Sequence, residues 1–317
     1  MPTSALAARL HQHGSPLLVE PVSLREPGPD EALVELAYAA INPVDRYVAA
    51  GRVAPDASLP RILGSEASGS MNGTPVLICG HDLGRSKDGL WATAAVVPRA
   101  AVTPLPAGVD LKQAAAMGVA GVTAWTVVSQ LAKVRPEDRV LVLGASGGVG
   151  SIAISLIRSI GAQVWGQTED AKKRAWISAR GADQVVVTGS AGLVEAVAGL
   201  NPTVVLDPLG GAYTGPAITA LEPFGRLVIF GTSAGLRGEI GIQELYRKAL
   251  TVRTYSGLIE PPDRLAVGVA GALSALAAGQ LRVSVDSVMA LAEVNEALAR
   301  QAGREVLGKL VLDLRQV

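Results

Sequence analysis

The sequence predicts an α/β protein in which a doubly wound parallel sheet is inserted into a β-rich, partly open barrel-like domain. Three observations carry this expectation. Short apolar runs alternate with turn residues through the first third of the chain. Through the middle third, apolar strands alternate with helical stretches, the pattern of a parallel sheet covered on both faces. A glycine-rich turn, Gly144-Ala-Ser-Gly-Gly-Val-Gly150, joins one of those strands to a strongly striped helix. The 317 residues suffice for about two ordinary domains. Hydrophobic residues make up 49% and charged residues 18%, which excludes a disordered chain. Lys and Arg number 28 against 28 Asp and Glu, so the net charge of +0 gives no bulk attraction to nucleic acid or an anionic membrane. The single cysteine, Cys79, rules out an internal disulfide and a cysteine-rich metal cluster. Met1 to Leu10 shows no cationic segment followed by a long apolar one, and no charge-free apolar run reaches the roughly 18 residues of a membrane helix. The expectation is a cytoplasmic protein.

In order along the chain, residues 32–38 read as a strand, led in by the turn formers Pro27-Gly-Pro-Asp30, and 74–79 and 91–97 read as two more. Residues 139–144 form the first buried strand of the middle third. Residues 163–167, 184–187, 204–207 and 226–230 repeat its type, with helical stretches between them. The last third predicts a small-residue helix over 264–278, an extended piece at 283–285, a helix over 293–302 and a strand at 309–313, which rejoin the first third. His11 and His13 alternate, which could set both on one side of a strand, with no third ligand apparent.

The glycine turn carries the strongest chemistry. Behind it, Val149, Ile152, Ala153, Leu156, Ile157 and Ile160 form one continuous apolar stripe, and Gly161 closes the helix. A glycine turn at a helix N-terminus lets backbone N–H groups approach a pyrophosphate, and the helix dipole favours the negative charge. Ser146, Gly147, Gly148 and Val149 are therefore the candidate dinucleotide cradle. Ala145 replaces the first glycine of the strict G-x-G-x-x-G fingerprint, while Gly147 and Gly150 keep the others. About 20 residues on, an acid would bind the ribose 2′-OH and repel a 2′-phosphate. Gln167 and Thr168 stand there instead, followed by the cations Lys172, Lys173 and Arg174. Glu169 and Asp170 could turn inward, and acids before bases also suits an ordinary first helical turn. The pattern favours NADPH over NADH.

These residues, with Ala40-Ile-Asn-Pro-Val-Asp-Arg-Tyr47, Ile62-Leu-Gly-Ser-Glu-Ala-Ser-Gly69, Gly121-Val-Thr-Ala-Trp125, Leu206-Asp-Pro-Leu-Gly-Gly211, Phe230-Gly-Thr232 and Gly308-Lys-Leu-Val-Leu312, resemble the zinc-independent, quinone-oxidoreductase-like branch of the medium-chain dehydrogenase/reductases. The resemblance covers nearly the whole chain. It implies a GroES-like catalytic domain over 1–118, a Rossmann domain over 119–258, a return to the catalytic domain over 259–317, and a cofactor lying between the two. It also implies that the loop of Asn42 and Tyr47 faces the nicotinamide; Asp45, as Asp often does near turns, is expected to hold that loop. Thr123 and the Phe230-Gly231-Thr232 backbone would hold the nicotinamide end, and Lys173 a phosphate. Many enoyl-reducing relatives carry a tyrosine in a Gly-x-Tyr segment, where this chain has Val53.

Zinc-dependent relatives use a Cys and a His at the positions that here resemble Asn42 and Ser65, and an amide and a hydroxyl are poor substitutes for them. No zinc is expected. The role of Glu66 is left open. The implied activity is metal-free transfer of hydride from NADPH to a quinone or an α,β-unsaturated carbonyl compound, with the carbonyl oxygen near Asn42 or Tyr47 and the proton from Tyr47 or water. Two alternatives stand beside it: a zinc-free carbonyl or tailoring reductase of secondary metabolism, and a dinucleotide-binding sensor or scaffold with little turnover. The expected partners are a small-molecule substrate and a second copy of the chain, paired near residues 251–255, with no nucleic acid and no membrane.

Overall fold

The computed structural model describes residues 4–316; Met1 to Thr3, the start of the segment read for a leader, lie outside them. The chain divides into two compact units. One runs to Ala120 and takes up again at Pro261–Ala277 and from Val283 onward; the other comprises Gly121–Glu260 with Ala278–Arg282.

The first unit begins with β1 (Ser4–Leu10), β2 (Leu18–Ser23), β3 (Glu31–Ala40), α1 (Pro43–Ala49), β4 (Arg61–Ile62), β5 (Glu66–Met71), β6 (Thr74–Cys79), β7 (Ala94–Pro98), β8 (Val102–Pro104) and α2 (Leu111–Met117). The chain passes into the second unit at the start of α3 (Ala120–Trp125), which is followed by a wider helical segment over Thr126–Leu131, β9 (Arg139–Val142), α4 (Gly148–Ile160), β10 (Gln163–Thr168), α5 (Arg174–Ser178), β11 (Gln184–Val187) and α6 (Leu193–Ala196). The second unit ends with β12 (Val204–Asp207), α7 (Thr214–Ala220), β13 (Arg226–Ile229), α8 (Ile242–Arg247) and β14 (Thr251–Thr254). The chain then returns to the first unit with α9 (Pro262–Ala277), β15 (Val285–Ala290), α10 (Val294–Ala302) and β16 (Lys309–Asp313).

The six strands of the second unit form one parallel sheet in the order β11-β10-β9-β12-β13-β14. This is the doubly wound Rossmann order, which reverses direction between β9 and β12. The middle strands are buried on both faces, which is why they read as unbroken apolar runs. Helix α4 is buried from Gly150 through Leu156 and Ile157, as its stripe requires, and Gly161 ends it with φ of 91°, a left-handed turn that glycine adopts without strain.

In the first unit the main sheet runs β15-β16-β3-β5-β6-β8, with β7 also paired to β3, and β2-β1-β4 form a smaller sheet. β16 lies antiparallel to β3, with Val311 opposite Ala40 and Leu312 opposite Ala39, so the return of the chain is written into the sheet register. Leu63, Ile78, Trp91, Leu310 and Leu312 share its core.

The structure departs from the sequence expectations where small residues form strands. β5 has no β-branched residue and was not anticipated; pairing with β3 on one side and β6 on the other holds it extended. The strand expected from residue 91 starts at Ala94, because the backbone of 91–93 bonds instead to β1 and Leu63, with the Ala8 N–H on the Trp91 carbonyl and the Thr93 N–H on the Leu6 carbonyl. Trp91 itself is fully buried and its indole N–H donates to the Ala40 carbonyl. The extended piece expected over 283–285 is displaced: the strand begins only at Val285 and runs to Ala290, where pairing parallel to β16 holds it. His11 and His13 fall in the turn after β1 and share no strand face: the His11 ring meets Glu20 and the His13 ring the Pro55 carbonyl. Among the described residues, no single helix is long and apolar enough to cross a membrane.

Candidate functional site

Two groups of candidate residues exist, one in each unit. In the second, the turn after β9 leads straight into α4. Gly147 is the N-cap, in extended conformation, and no side chain caps the helix. The first-turn N–H groups, those of Gly148 and Val149 among them, thus keep donors that the helix itself cannot use. A Cβ on Gly150 would lie 2.6 Å from the Gly144 carbonyl oxygen, so only glycine permits this tight approach of helix to turn. Ser146 is buried. A backbone cradle with a positive helix end fits the pyrophosphate of a dinucleotide.

Gln167 and Thr168 end β10, both buried. Gln167 ties the cradle to its neighbours. Its Oε1 accepts from the Gly144 N–H at 3.1 Å, its Nε2 donates to the Thr188 carbonyl at 2.7 Å, and its backbone carbonyl accepts from the Ala145 N–H at 2.9 Å. Gln167 Nε2 also lies 3.3 Å from the hydroxyl of Tyr213, which itself donates to Glu169 Oε1 at 2.5 Å. Neither acid beyond the strand is left uncommitted: Glu169 takes the Tyr213 hydroxyl, while Asp170 caps the following turn through the Lys172 N–H. Thr168 Oγ1 accepts from the Asp170 N–H. Of the three cations, Arg174 donates to the Val185 carbonyl at 2.7 Å, and Lys173 stands at the N-cap of α5. Phe230 and Gly231 follow β13 half-buried and Thr232 is exposed; Thr123 is half-buried on α3. Sequence reasoning missed Tyr213, an aromatic just beyond the second glycine of a Gly-Gly turn.

In the first unit, the loop from β3 into α1 carries Asn42, Asp45 and Tyr47. Pro43 opens the helix, and the Asn42 N–H donates to Asp45 Oδ2 at 2.7 Å, so Asp45 does hold the loop. The Asn42 side chain does not cap the helix. Its Nδ2 donates to Glu66 Oε1 at 2.6 Å, and its Oδ1 accepts from Lys309 Nζ at 2.5 Å. Lys309 Nζ also donates to Glu66 Oε1 at 2.9 Å and to the Ile41 carbonyl at 3.2 Å. The second Glu66 oxygen accepts from the Val119 N–H at 2.5 Å, and Ser65 donates to Asp45 Oδ1 at 2.9 Å. All five side chains are buried, Glu66 completely and Lys309 to 4% exposure. Burial, aided by the Glu66 charge, pushes the Asp45 carboxyl up to about 7, against the hydrogen bonds from Asn42 and Ser65. Tyr47 is half-buried on α1, with the Arg46 guanidinium 5.4 Å from its ring centroid. The sequence signal for Lys309 was a cation opening a strand that is otherwise apolar up to Asp313.

A zinc ion does not fit this donor set. Asn42 offers an amide and Ser65 a hydroxyl rather than thiolate and imidazole, and an ammonium already uses the oxygens of Asn42, Glu66 and Ile41. Cys79 lies buried on β6, its thiol pushed up to about 12 by burial and by Glu66, far from the thiolate a metal takes. Among the described residues, no three His, Cys, Asp or Glu side chains come together as a metal site.

A family model described as zinc-binding dehydrogenase matches residues 148–261. Quinone oxidoreductase 1 of Escherichia coli (strain K12) is 28% identical over 298 residues, spanning 89% of this chain and 90% of that protein. The crystal structure of Escherichia coli quinone oxidoreductase complexed with NADPH superposes with a TM-score of 0.84 at 26% identity, covering 97% of this chain and 99% of the other. A thermostable alcohol dehydrogenase from Pyrobaculum aerophilum, with cobalt and zinc bound, gives a TM-score of 0.84 at 28% identity, covering 98% and 99%.

Proposed function

This chain is an oxidoreductase, a quinone-oxidoreductase-like member of the medium-chain dehydrogenase/reductase superfamily, and from that premise we propose that it reduces quinones or α,β-unsaturated carbonyl compounds with NADPH and without a metal. The observation that carries the metal-free reading is the Lys309 ammonium, seated on three oxygens beside Asn42 and Glu66. A dication there would have to displace a buried monocation from its acceptors. The family match to zinc-binding dehydrogenases covers only residues 148–261, and so does not reach Asn42 or Ser65. Without a Lewis acid, the acceptor must be electrophilic in its own right, as quinones and enones are.

When bound, the reduced nicotinamide supplies the hydride. The chain's own residues do the rest. The backbone of Ser146 to Val149 and the N-terminus of α4 hold the pyrophosphate. Thr168 and Lys173 receive the 2′-phosphate. Thr123 and the Phe230 to Thr232 backbone fix the nicotinamide end. Asn42 and Tyr47 hydrogen-bond the acceptor oxygen, and the Tyr47 hydroxyl delivers the proton. The enzyme's contribution is chiefly positioning and exclusion of water.

The cofactor arm is tested by titrating NADPH and NADH, followed by fluorescence. NADPH should bind tighter, and Lys173→Ala should weaken it by about 1–3 kcal/mol while leaving NADH nearly unchanged. Preference for NADH would overturn the assignment. Chelation should leave reductase activity intact, and stoichiometric zinc by elemental analysis would refute the metal-free reading. We also read β14 as the pairing edge of a homodimer, since all four residues of this edge strand are exposed. Solution scattering of a clean monomer would reject that.

A further inference from the structure

The Asn42 amide is clamped at both ends by opposite charges: an ammonium on its oxygen and a carboxylate on its nitrogen. Turning the amide over would set its N–H groups against the ammonium and its oxygen against Glu66. Its orientation is therefore fixed by electrostatics and not by shape. The ammonium is saturated, with three N–H donors on three acceptors, and Glu66 is anchored from behind by the Val119 N–H. One Nδ2–H of Asn42 is engaged by Glu66, which leaves the second as the donor this residue has to offer. A cation on the amide oxygen draws charge toward it and strengthens that remaining N–H as a donor.

We propose that Lys309 is a positioning residue for the reduction, acting through Asn42: it decides which end of the amide is presented as a donor and sharpens that donor. This rests on the reading above that Asn42 meets the reacting partner. A purely structural Lys309 would only neutralise buried Glu66, and the two roles separate in a double-mutant cycle.

The experiment compares the wild type, Lys309→Met, Asn42→Ala and the double variant, with NADPH and a benzoquinone or a cyclic enone as acceptor. Each single change should lower kcat by about 10²-fold, with KM for NADPH nearly constant. In the Asn42→Ala background, Lys309→Met should cost nothing further. A loss of equal size in both backgrounds overturns the proposal, as does a Lys309→Met enzyme with unchanged kcat. Should Lys309→Met fail to fold because Glu66 is left unpaired, Glu66→Gln/Lys309→Met replaces it; this pair removes both charges and still deprives the Asn42 oxygen of its donor. The second readout is independent of turnover: the Asn42 side-chain amide, followed by nitrogen–proton NMR. It should exchange slowly with solvent in the wild type and rapidly once Lys309 is methionine. A wild type inactive on every acceptor, with this change in exchange, would sink the reductase reading and leave the clamp standing. Unchanged exchange would sink the clamp itself.

Discussion

The two candidate regions are built on opposite plans. The cradle of the second unit is backbone: contiguous residues 144–150, a helix end and a glycine whose missing Cβ permits close approach. The cluster of the first unit is side chain: Asn42, Asp45, Ser65, Glu66 and Lys309, drawn from three stretches of sequence and joined by charge. A backbone site tolerates changes of side chain but not of shape. A charged buried site tolerates neither partner's loss, since either deletion strands the other.

Beside the side-chain cluster, on the helix that Asp45 anchors, an effect as large as those expected at Asn42 and Lys309 falls on Tyr47. Tyr47→Phe removes one oxygen and keeps the ring; turnover of an enone should drop by roughly 10²-fold, and that of a quinone by less, because the reduced quinone oxygen is stabilised by its own ring. Steady-state kinetics on both acceptors checks this, and equal, unchanged rates would make Tyr47 a wall residue. Next is the cradle. Gly150→Ala drives a Cβ toward the Gly144 carbonyl and should cost about 1–3 kcal/mol of stability together with most cofactor binding. Thermal unfolding and cofactor titration measure the two, and the Asn42 amide should keep its slow exchange.

The smallest effect sharpens the contrast through pH. Asp45 sits at about 7 in the folded protein, well above the ordinary carboxylate range, so between pH 4 and 7 the folded state holds a proton that the unfolded chain releases. Its contribution is fully present below the unfolded pKa and is lost as pH rises through about 7. Asp45→Asn cannot ionise and should flatten the fall in stability over that window, as read from urea midpoints at pH 4 to 8. An unaltered slope would place the titration elsewhere.

The cradle was legible in the sequence because its signal is local: strand, glycines, stripe and closing glycine follow one another within 23 residues, from Arg139 to Gly161. The parallel sheet was legible for the same reason, each buried strand being an apolar run. The strands β1 and β5 were not, since alanine, serine and glycine carry little strand preference and are held there by their neighbours, and β2 was hidden by Pro21, which breaks its run. Asn42 was visible, but its partners were not. Glu66 had no readable role until Lys309 was found on it, and no periodicity links residues 243 positions apart. Likewise, whether Glu169 faced a ribose or its own unit was undecidable without Tyr213.

That long separation has a consequence for how the molecule is made. Lys309 bonds Asn42 across 267 residues, on the last strand of the main sheet. During synthesis the carboxylate of Glu66 leaves the ribosome without its counter-ion, and β3 without its neighbour β16, until almost the whole chain has been translated. The Rossmann unit, which starts at Gly121 and is nearly contiguous, has all six of its strands well before then. The part of the protein that is begun first is therefore finished last, and the second unit can be complete before the first has closed.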